Sequence, residues 1–274
     1  MRHAVLVLLM GLTVAAAGGS LAADAAVRIA AHRGGAGLWP EASLGAFRNA
    51  IALGVEFLEF DLHLTADGEV VVLHDPTLER TTTARGAVRD TTLAELARAR
   101  VKARDGRVTD EPVPTFAQVL DLAAPAAVEV LPEIKVGPDR KPYPGIEEKV
   151  LSVLRSRRMV ERATMQAFDP DTIARLRTLE PRVRTMLLVG VGAVKRERVE
   201  PVAAVRWAQD ARATDLGMDH RLVDGAVVAA ARRAGLRLSV WTVNDEADLR
   251  RVIDLGVDIM MTDRPDLAKR LLGR

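Results

Sequence analysis

Glu56-Phe57-Leu58-Glu59-Phe60-Asp61-Leu62 is the stretch on which the fold turns. A β-strand throws alternate side chains to opposite faces, so Phe57, Glu59 and Asp61 fall on one side and Leu58, Phe60 and Leu62 on the other. The apolar face suits a parallel strand covered by helices, and two carboxylates at the C-terminal end of the opposite face suit a hard divalent cation with oxygen ligands. Val128-Glu129-Val130-Leu131-Pro132-Glu133-Ile134-Lys135 reads the same way, with Glu133 and Lys135 on one face, so a third carboxylate becomes available. Three carboxylates meeting without a cation repel one another and raise their pKa values. The structural alternative is a plain ion pair of Glu133 with Lys135 or Arg33.

Outward from this strand, short β-like runs alternate with helical patterns, as in a parallel sheet with crossover helices. The spacing predicts strands over 27–31, 56–62, 70–74, 128–134, 163–168, 184–189, 212–216, 236–243 and 257–262. Helical periodicity covers 43–53, 115–122, 145–157, 169–179, 224–234 and 245–255, several opening on Ser, Thr or Asp. Nine strands exceed the eight of a barrel by one. Because Asp67-Gly68 is a tight-turn signal, the pair that it joins is read as something other than a full βαβ unit. Residues 76–114, after the third candidate strand, lack a long periodic segment and are expected to form a small insertion at the barrel mouth.

At 274 residues and 49% hydrophobic content the chain can bury one substantial core, and its length suits a single α/β barrel of roughly 250 residues about as well as two smaller domains. Residues 1–25 pair a basic start, Met1-Arg2-His3, with an apolar run to about Ala17 and a small-residue stretch ending at Ala25. That is the pattern of a secretory signal peptide, with an uncleaved anchor as the alternative. The expected mature chain is then 26–274, one domain, exported to the periplasm or secreted, with no stable membrane insertion. There is no cysteine, which excludes disulfides. A net charge of +2 without a dense basic run gives nucleic-acid binding no support.

Two short segments flank the acidic strand: Ala31-His32-Arg33-Gly34 and Leu73-His74-Asp75. Together they add two imidazoles and a guanidinium, the groups needed to move protons and hold an anion in phosphodiester cleavage. His32 falls at a strand end before two glycines, where a barrel places catalytic groups; the glycines serve a tight turn or let amides approach a phosphate. Strand parity puts His74 with Val70 and Val72, and leaves Asp75 to orient an imidazole or close a turn. His63 shares the parity of Glu59 and Asp61, yet hard oxygen sites seldom recruit imidazole, so it is expected on the rim. His220 falls in an expected loop. Trp241, in phase with Ser239 and Val243, is expected to point inward at the mouth.

In order and spacing, Ala31-His32-Arg33-Gly34-Gly35, Pro40-Glu41, Glu59-Phe60-Asp61, Leu64-Thr65-Ala66-Asp67-Gly68, Val72-Leu73-His74-Asp75, Arg80-Thr81-Thr82, Glu133-Ile134-Lys135, Trp241-Thr242-Val243-Asn244, Gly256-Val257-Asp258 and Thr262-Asp263 resemble the glycerophosphodiester phosphodiesterases. The resemblance implies a TIM barrel that hydrolyses a small-molecule glycerophosphodiester to glycerol 3-phosphate and an alcohol, with one divalent cation, Ca2+ or Mg2+. By matching position it makes His32 and His74 the acid and base, Glu59, Asp61 and Glu133 the metal ligands, and Arg33, Lys135, Trp241 and Glu41 the substrate contacts. The chain departs from the family at Ala42-Ser43, where Asn-Thr is usual. Ser43 keeps a hydroxyl suited to N-capping. Two rivals remain: a lysophospholipase D-like or other phosphodiesterase with a lipidic leaving group, and a barrel that binds phosphodiesters without turnover.

Overall fold

The computed structural model describes residues 26–274, so the expected signal peptide lies outside the described residues. Nine strands form: β1 (Arg28–Ala31), β2 (Phe57–Leu64), β3 (Val70–Val72), β4 (Glu129–Ile134), β5 (Thr164–Ala167), β6 (Arg184–Val189), β7 (Asp215–Asp219), β8 (Arg237–Trp241) and β9 (Ile259–Thr262). Eight of them, all parallel, close into a barrel in the order β1, β2, β4, β5, β6, β7, β8, β9, with β9 returning to β1. The ninth, β3, pairs antiparallel with the end of β2, Leu62 opposite Val72, across the Asp67-Gly68 turn. The surplus strand is therefore a hairpin arm.

Helices α1 (Leu44–Leu53), α2 (Leu93–Leu96), α3 (Phe116–Ala123), α4 (Ile146–Ser156), α5 (Pro170–Leu179), α6 (Val191–Glu197), α7 (Ala203–Asp210), α8 (Gly225–Arg233), α9 (Glu246–Leu255) and α10 (Pro265–Leu271) connect the strands. The Ser43 hydroxyl accepts the Ala46 amide at 3.0 Å and starts α1, and Thr115 with Gln118 forms a capping box on α3. The alternation of β2 decides the layers. Leu58, Phe60 and Leu62 join the core between barrel and helices, where Phe60 meets Phe47 at 5.5 Å and Phe116 at 5.9 Å between ring centroids. Burying each such ring contributes about 1.5–3 kcal/mol. Phe57 turns inward to a second cluster with Ala30, Leu131, Met186, Leu188, Ile259 and Met261.

Below that plug, the first residues of the strands make a charged floor. Asp215, fully buried, accepts Arg184 Nη2 at 2.9 Å on one oxygen and Arg237 Nε on the other, while Arg28 holds Glu129 at 3.1 Å and lies 4.5 Å over the Phe57 ring.

Several boundaries differ from the sequence reading. The expected strand over 212–216 runs Asp215–Asp219, because α7 continues to Asp210 and Arg212 turns the chain with φ +56. The strand expected to reach 74 stops at Val72, so His74 arrives on a loop and strand parity does not orient it. Helices α6, α7 and α10 escaped the periodicity: they span seven, eight and seven residues and have no side-chain cap. Residues 76–114 fold over a small core of their own, Leu78, Val88, Leu96 and Val113 with Val71 and Leu73 of the hairpin.

Candidate active site

Cross-strand register assembles the acids at the C-terminal end of the barrel. Asp61 of β2 sits opposite Glu133 of β4, and Glu133 opposite Gln166 of β5. With Glu59 one inward position below, the three carboxylates are buried and offer oxygens within 4.8 Å of one another. Lys135 reaches Glu133 at 2.9 Å and Asp61 at 3.3 Å, so the ion pair weighed as an alternative also forms. It does not satisfy the cluster. Burial, then the charge of Asp61, pushes Glu59 up to about 8, and burial pushes Glu133 up to about 7 despite Lys135. Asp61 departs from the expected rise: burial opposes its charge, but Lys135, His74 and Arg33 outweigh that and hold it below the usual carboxylate range.

The His32-Arg33-Gly34 turn follows β1. Arg33 takes the left-handed conformation, φ +51, and donates its amide to Glu59 at 2.9 Å. Gly34 and Gly35 follow at φ +80 and +92, and the Gly35 amide bonds the His32 carbonyl at 2.9 Å, so the tight turn is what this glycine serves. His32 Nδ1 lies 2.6 Å from Asp263 just after β9, and Asn244 donates to the other Asp263 oxygen at 2.8 Å. That leaves His32 Nε2 facing the acids, 3.9 Å from Glu59. Burial lowers the His32 pKa, yet the Glu59 charge and the Asp263 hydrogen bond together raise it above its ordinary value.

His74 is built in parallel: its Nδ1 lies 2.7 Å from Asp75, which Arg80 holds at 2.6 Å, and burial lowers its pKa. Asp75 thus orients the imidazole. Arg80 also reaches Glu41 at 2.8 Å, and Glu41 takes Arg33 at 3.2 Å. His63 is no rim residue. It is fully buried, between the Tyr143 hydroxyl at 2.8 Å and the His74 carbonyl at 3.2 Å, where it props the His74 loop. His220 opens a short 3-10 turn after β7 rather than an open loop, 3.1 Å from Arg251 and 3.7 Å from Asp248, and does not line the space around Glu59, Asp61 and Glu133.

These side chains enclose an inner cavity of about 130 Å3 lined by His32, Arg33, Glu59, Asp61, His74, Glu133, Lys135 and Trp241, with Gln166 and Phe168. Every residue expected at the site borders it except Glu41, whose oxygens are engaged by Arg33 and Arg80 beside an outer cavity. Four buried polar atoms around the inner cavity have no hydrogen-bond partner among the described residues: Asp61 Oδ2 and Arg33 Nε, which face each other as an ion pair at 3.8 Å, Gln166 Oε1 and Trp241 Nε1. Buried polar groups are ordinarily paired, so the clustering of these exceptions marks where a polar, charged ligand belongs. Two acceptors and two donors around one small space suit a cation together with an anion. Asp263, Asn244, Gln166 and Phe168 received no role from the sequence. The carboxylate that fixes His32 lies 231 positions away, and only the closure of β9 against β1 brings it near.

A closed parallel barrel with acids and two carboxylate-oriented imidazoles at its C-terminal mouth is the architecture of a TIM-barrel enzyme. Residues 32–267 match the glycerophosphoryl diester phosphodiesterase family. A glycerophosphodiester phosphodiesterase of Caldanaerobacter subterraneus subsp. tengcongensis is 32% identical over 90% of this chain and 98% of its own. The rat lysophospholipase D GDPD1 is 25% identical over 88% of this chain and 85% of its own. A crystal structure of an Agrobacterium tumefaciens C58 protein assigned to the same family superimposes with a TM-score of 0.84 at 31% identity, covering 91% of this chain and 98% of that one. The chain belongs to the glycerophosphodiester phosphodiesterase family and is an enzyme, a phosphoric diester hydrolase.

Proposed function

We propose that the enzyme hydrolyses glycerophosphodiesters to glycerol 3-phosphate and an alcohol, using one divalent cation, Ca2+ or Mg2+, and two histidines. The observation that carries this reading is the set of buried polar atoms without a hydrogen bond around three carboxylates and two imidazoles. The donor set fits a hard cation: all oxygen, three carboxylates, and one Asp61 oxygen without a hydrogen bond. Glu59, Asp61 and Glu133 would hold it, and when bound it would neutralise charge on the phosphoryl oxygens.

The chain's own groups do the rest. Arg33 presents Nε to the phosphate while Glu41 holds its Nη1, and Lys135 adds a second cation whose ammonium form Asp61 and Glu133 hold despite burial. The glyceryl arm is assigned to the small inner cavity, against Trp241 and Phe168. His74 borders only that cavity, while His32 also borders the outer one. His74, neutral at Nε2, therefore takes the proton of the attacking hydroxyl, either from water, which gives glycerol 3-phosphate directly, or from the neighbouring glycerol, which gives a cyclic phosphate that a water then opens. His32 gives a proton to the departing alcohol oxygen as its bond to phosphorus breaks. Asp263 and Asp75 fix each Nδ1 and aim each Nε2.

A release assay on purified protein tests the reading: glycerophosphocholine against lysophosphatidylcholine, with Ca2+ or Mg2+ and with chelator. Glycerol 3-phosphate release that chelator abolishes is expected. Preference for the lysolipid moves the assignment to the lipidic substrate, and binding without release makes the chain a receptor. The leader-like 1–25 supports export, to be checked by fractionating cells that carry the full chain.

A further inference from the structure

Beside the inner cavity, and sharing His32, Arg33 and Thr242 with it, opens an outer one of about 580 Å3. That size lies within the roughly 300–1,000 Å3 of small-molecule sites. Its far wall comes from the 76–114 segment: Arg80, Thr81, Lys102 and Arg104. Four Arg or Lys side chains line it, Arg33, Arg80, Lys102 and Arg104, against two carboxylates, Glu41 and Asp263. Both carboxylates are already engaged, Glu41 by Arg33 and Arg80, Asp263 by His32 and Asn244. Lys102 is tied only to the Glu79 carbonyl, and Arg104 has no ion-pair partner among the described residues. The Thr81 hydroxyl, on a residue 5% exposed, also lacks a hydrogen-bond partner among the described residues. Uncompensated cations and a spare hydroxyl around a cavity that adjoins the phosphate position call for an anion.

Resting on the function proposed above, we propose that the outer cavity receives the leaving alcohol and selects alcohols that carry their own negative charge, such as a phosphorylated polyol. The one competing feature is Trp39, whose indole also lines the cavity and would attract a quaternary ammonium. A single aromatic contributes about 0.5–1 kcal/mol at an exposed site. Two unpaired cations in the same wall repel a cationic head group, and three walls of an aromatic cage are missing.

The test measures kcat/KM for glycerophosphoinositol 4-phosphate and glycerophosphocholine, and independently the binding of inositol 4-phosphate and choline by calorimetry. The anionic substrate is expected to be favoured at least tenfold, and inositol 4-phosphate to bind at least tenfold tighter than choline, with the margin shrinking in high salt. Arg104→Glu, on an exposed side chain, should cut both ratios at least fivefold, and Lys102→Met should cut them less. Equal turnover of the two substrates, or a choline preference, overturns the charge selection while leaving the proposed function standing. No turnover of either overturns the proposed function, and the binding ratio then decides the cavity's preference alone. Ratios unmoved by Arg104→Glu overturn its role.

Discussion

The two ends of the barrel treat buried acid in opposite ways. At the floor, both Asp215 oxygens are taken by Arg184 and Arg237 and Glu129 is held by Arg28, so the carboxylates meet a surplus of guanidinium. At the mouth, Glu59, Asp61 and Glu133 share Lys135 and the partly committed Arg33, and burial pushes two of the three far above the usual carboxylate range. Neutralised charge at the N-terminal end serves stability. Under-neutralised charge at the C-terminal end is a deficit that a ligand can fill, and natural active sites are destabilised in this sense.

The largest expected effect is at the mouth. Replacing His32 or His74 by Ala should lower turnover roughly 100-fold or more with the fold retained, the usual scale for a general acid or base. Against a nitrophenyl diester, whose leaving group needs no proton, His32→Ala should recover far more than His74→Ala. Equal recovery would reverse or erase the division of roles. At the floor the loss should appear in stability instead. Asp215→Asn leaves two guanidiniums without their carboxylate and should cost about 2–4 kcal/mol, below the full penalty of a buried pair because Arg184 is 38% exposed. Urea unfolding with unchanged turnover of the folded fraction is the expected pattern; an unaltered midpoint would remove the contrast between the two ends.

Glu59→Gln is expected to act in the opposite sense to the floor variant. The Glu59 carboxyl is raised from 4.5 to about 8 in the folded chain, so the folded state binds more protons than the unfolded one between those values. Its favourable contribution is full below about pH 4.5 and is lost as pH rises through about 8. Metal-free protein should therefore melt lower at pH 8 than at pH 5 on this account. Glu59→Gln should stabilise the metal-free fold at pH 8 by on the order of 1 kcal/mol, read as a higher melting point, while abolishing activity. A lower melting point for this variant at pH 8 would show that the mouth is not strained by its acids.

The smallest effect concerns Ala42, which is buried with φ +58. Asn visits this left-handed region more readily than Ala, which gives a physical reason for the Asn usual at this place in the family. Ala42→Asn should stabilise by less than about 1 kcal/mol, read as a small rise in melting temperature.

How much was legible follows from how local each signal is. The inward set Phe57, Glu59 and Asp61 and the hairpin at Asp67-Gly68 were readable because strand alternation and turn chemistry are properties of neighbours. His74 shows the limit: strand parity does not govern a residue two positions beyond the end of β3, and its orientation comes from Asp75 and from His63 beneath its loop. Asp263 and Asn244 were visible as residues but not as the clamp on His32, which exists only once the barrel closes. The charged outer cavity was equally hidden, since Arg80, Lys102 and Arg104 belong to a stretch without periodicity.

The contrast between the two ends is tested most directly by titrating Ca2+ or Mg2+ into chelator-stripped protein, by calorimetry at pH 6 and pH 8 in buffers of different ionisation enthalpy. One cation per chain should bind more tightly at pH 8 than at pH 6, with protons released as Glu59 and Glu133 ionise, and Glu59→Gln should weaken the site sharply. Absence of cation binding at both pH values, with full hydrolysis of glycerophosphocholine in excess chelator, would contradict the account.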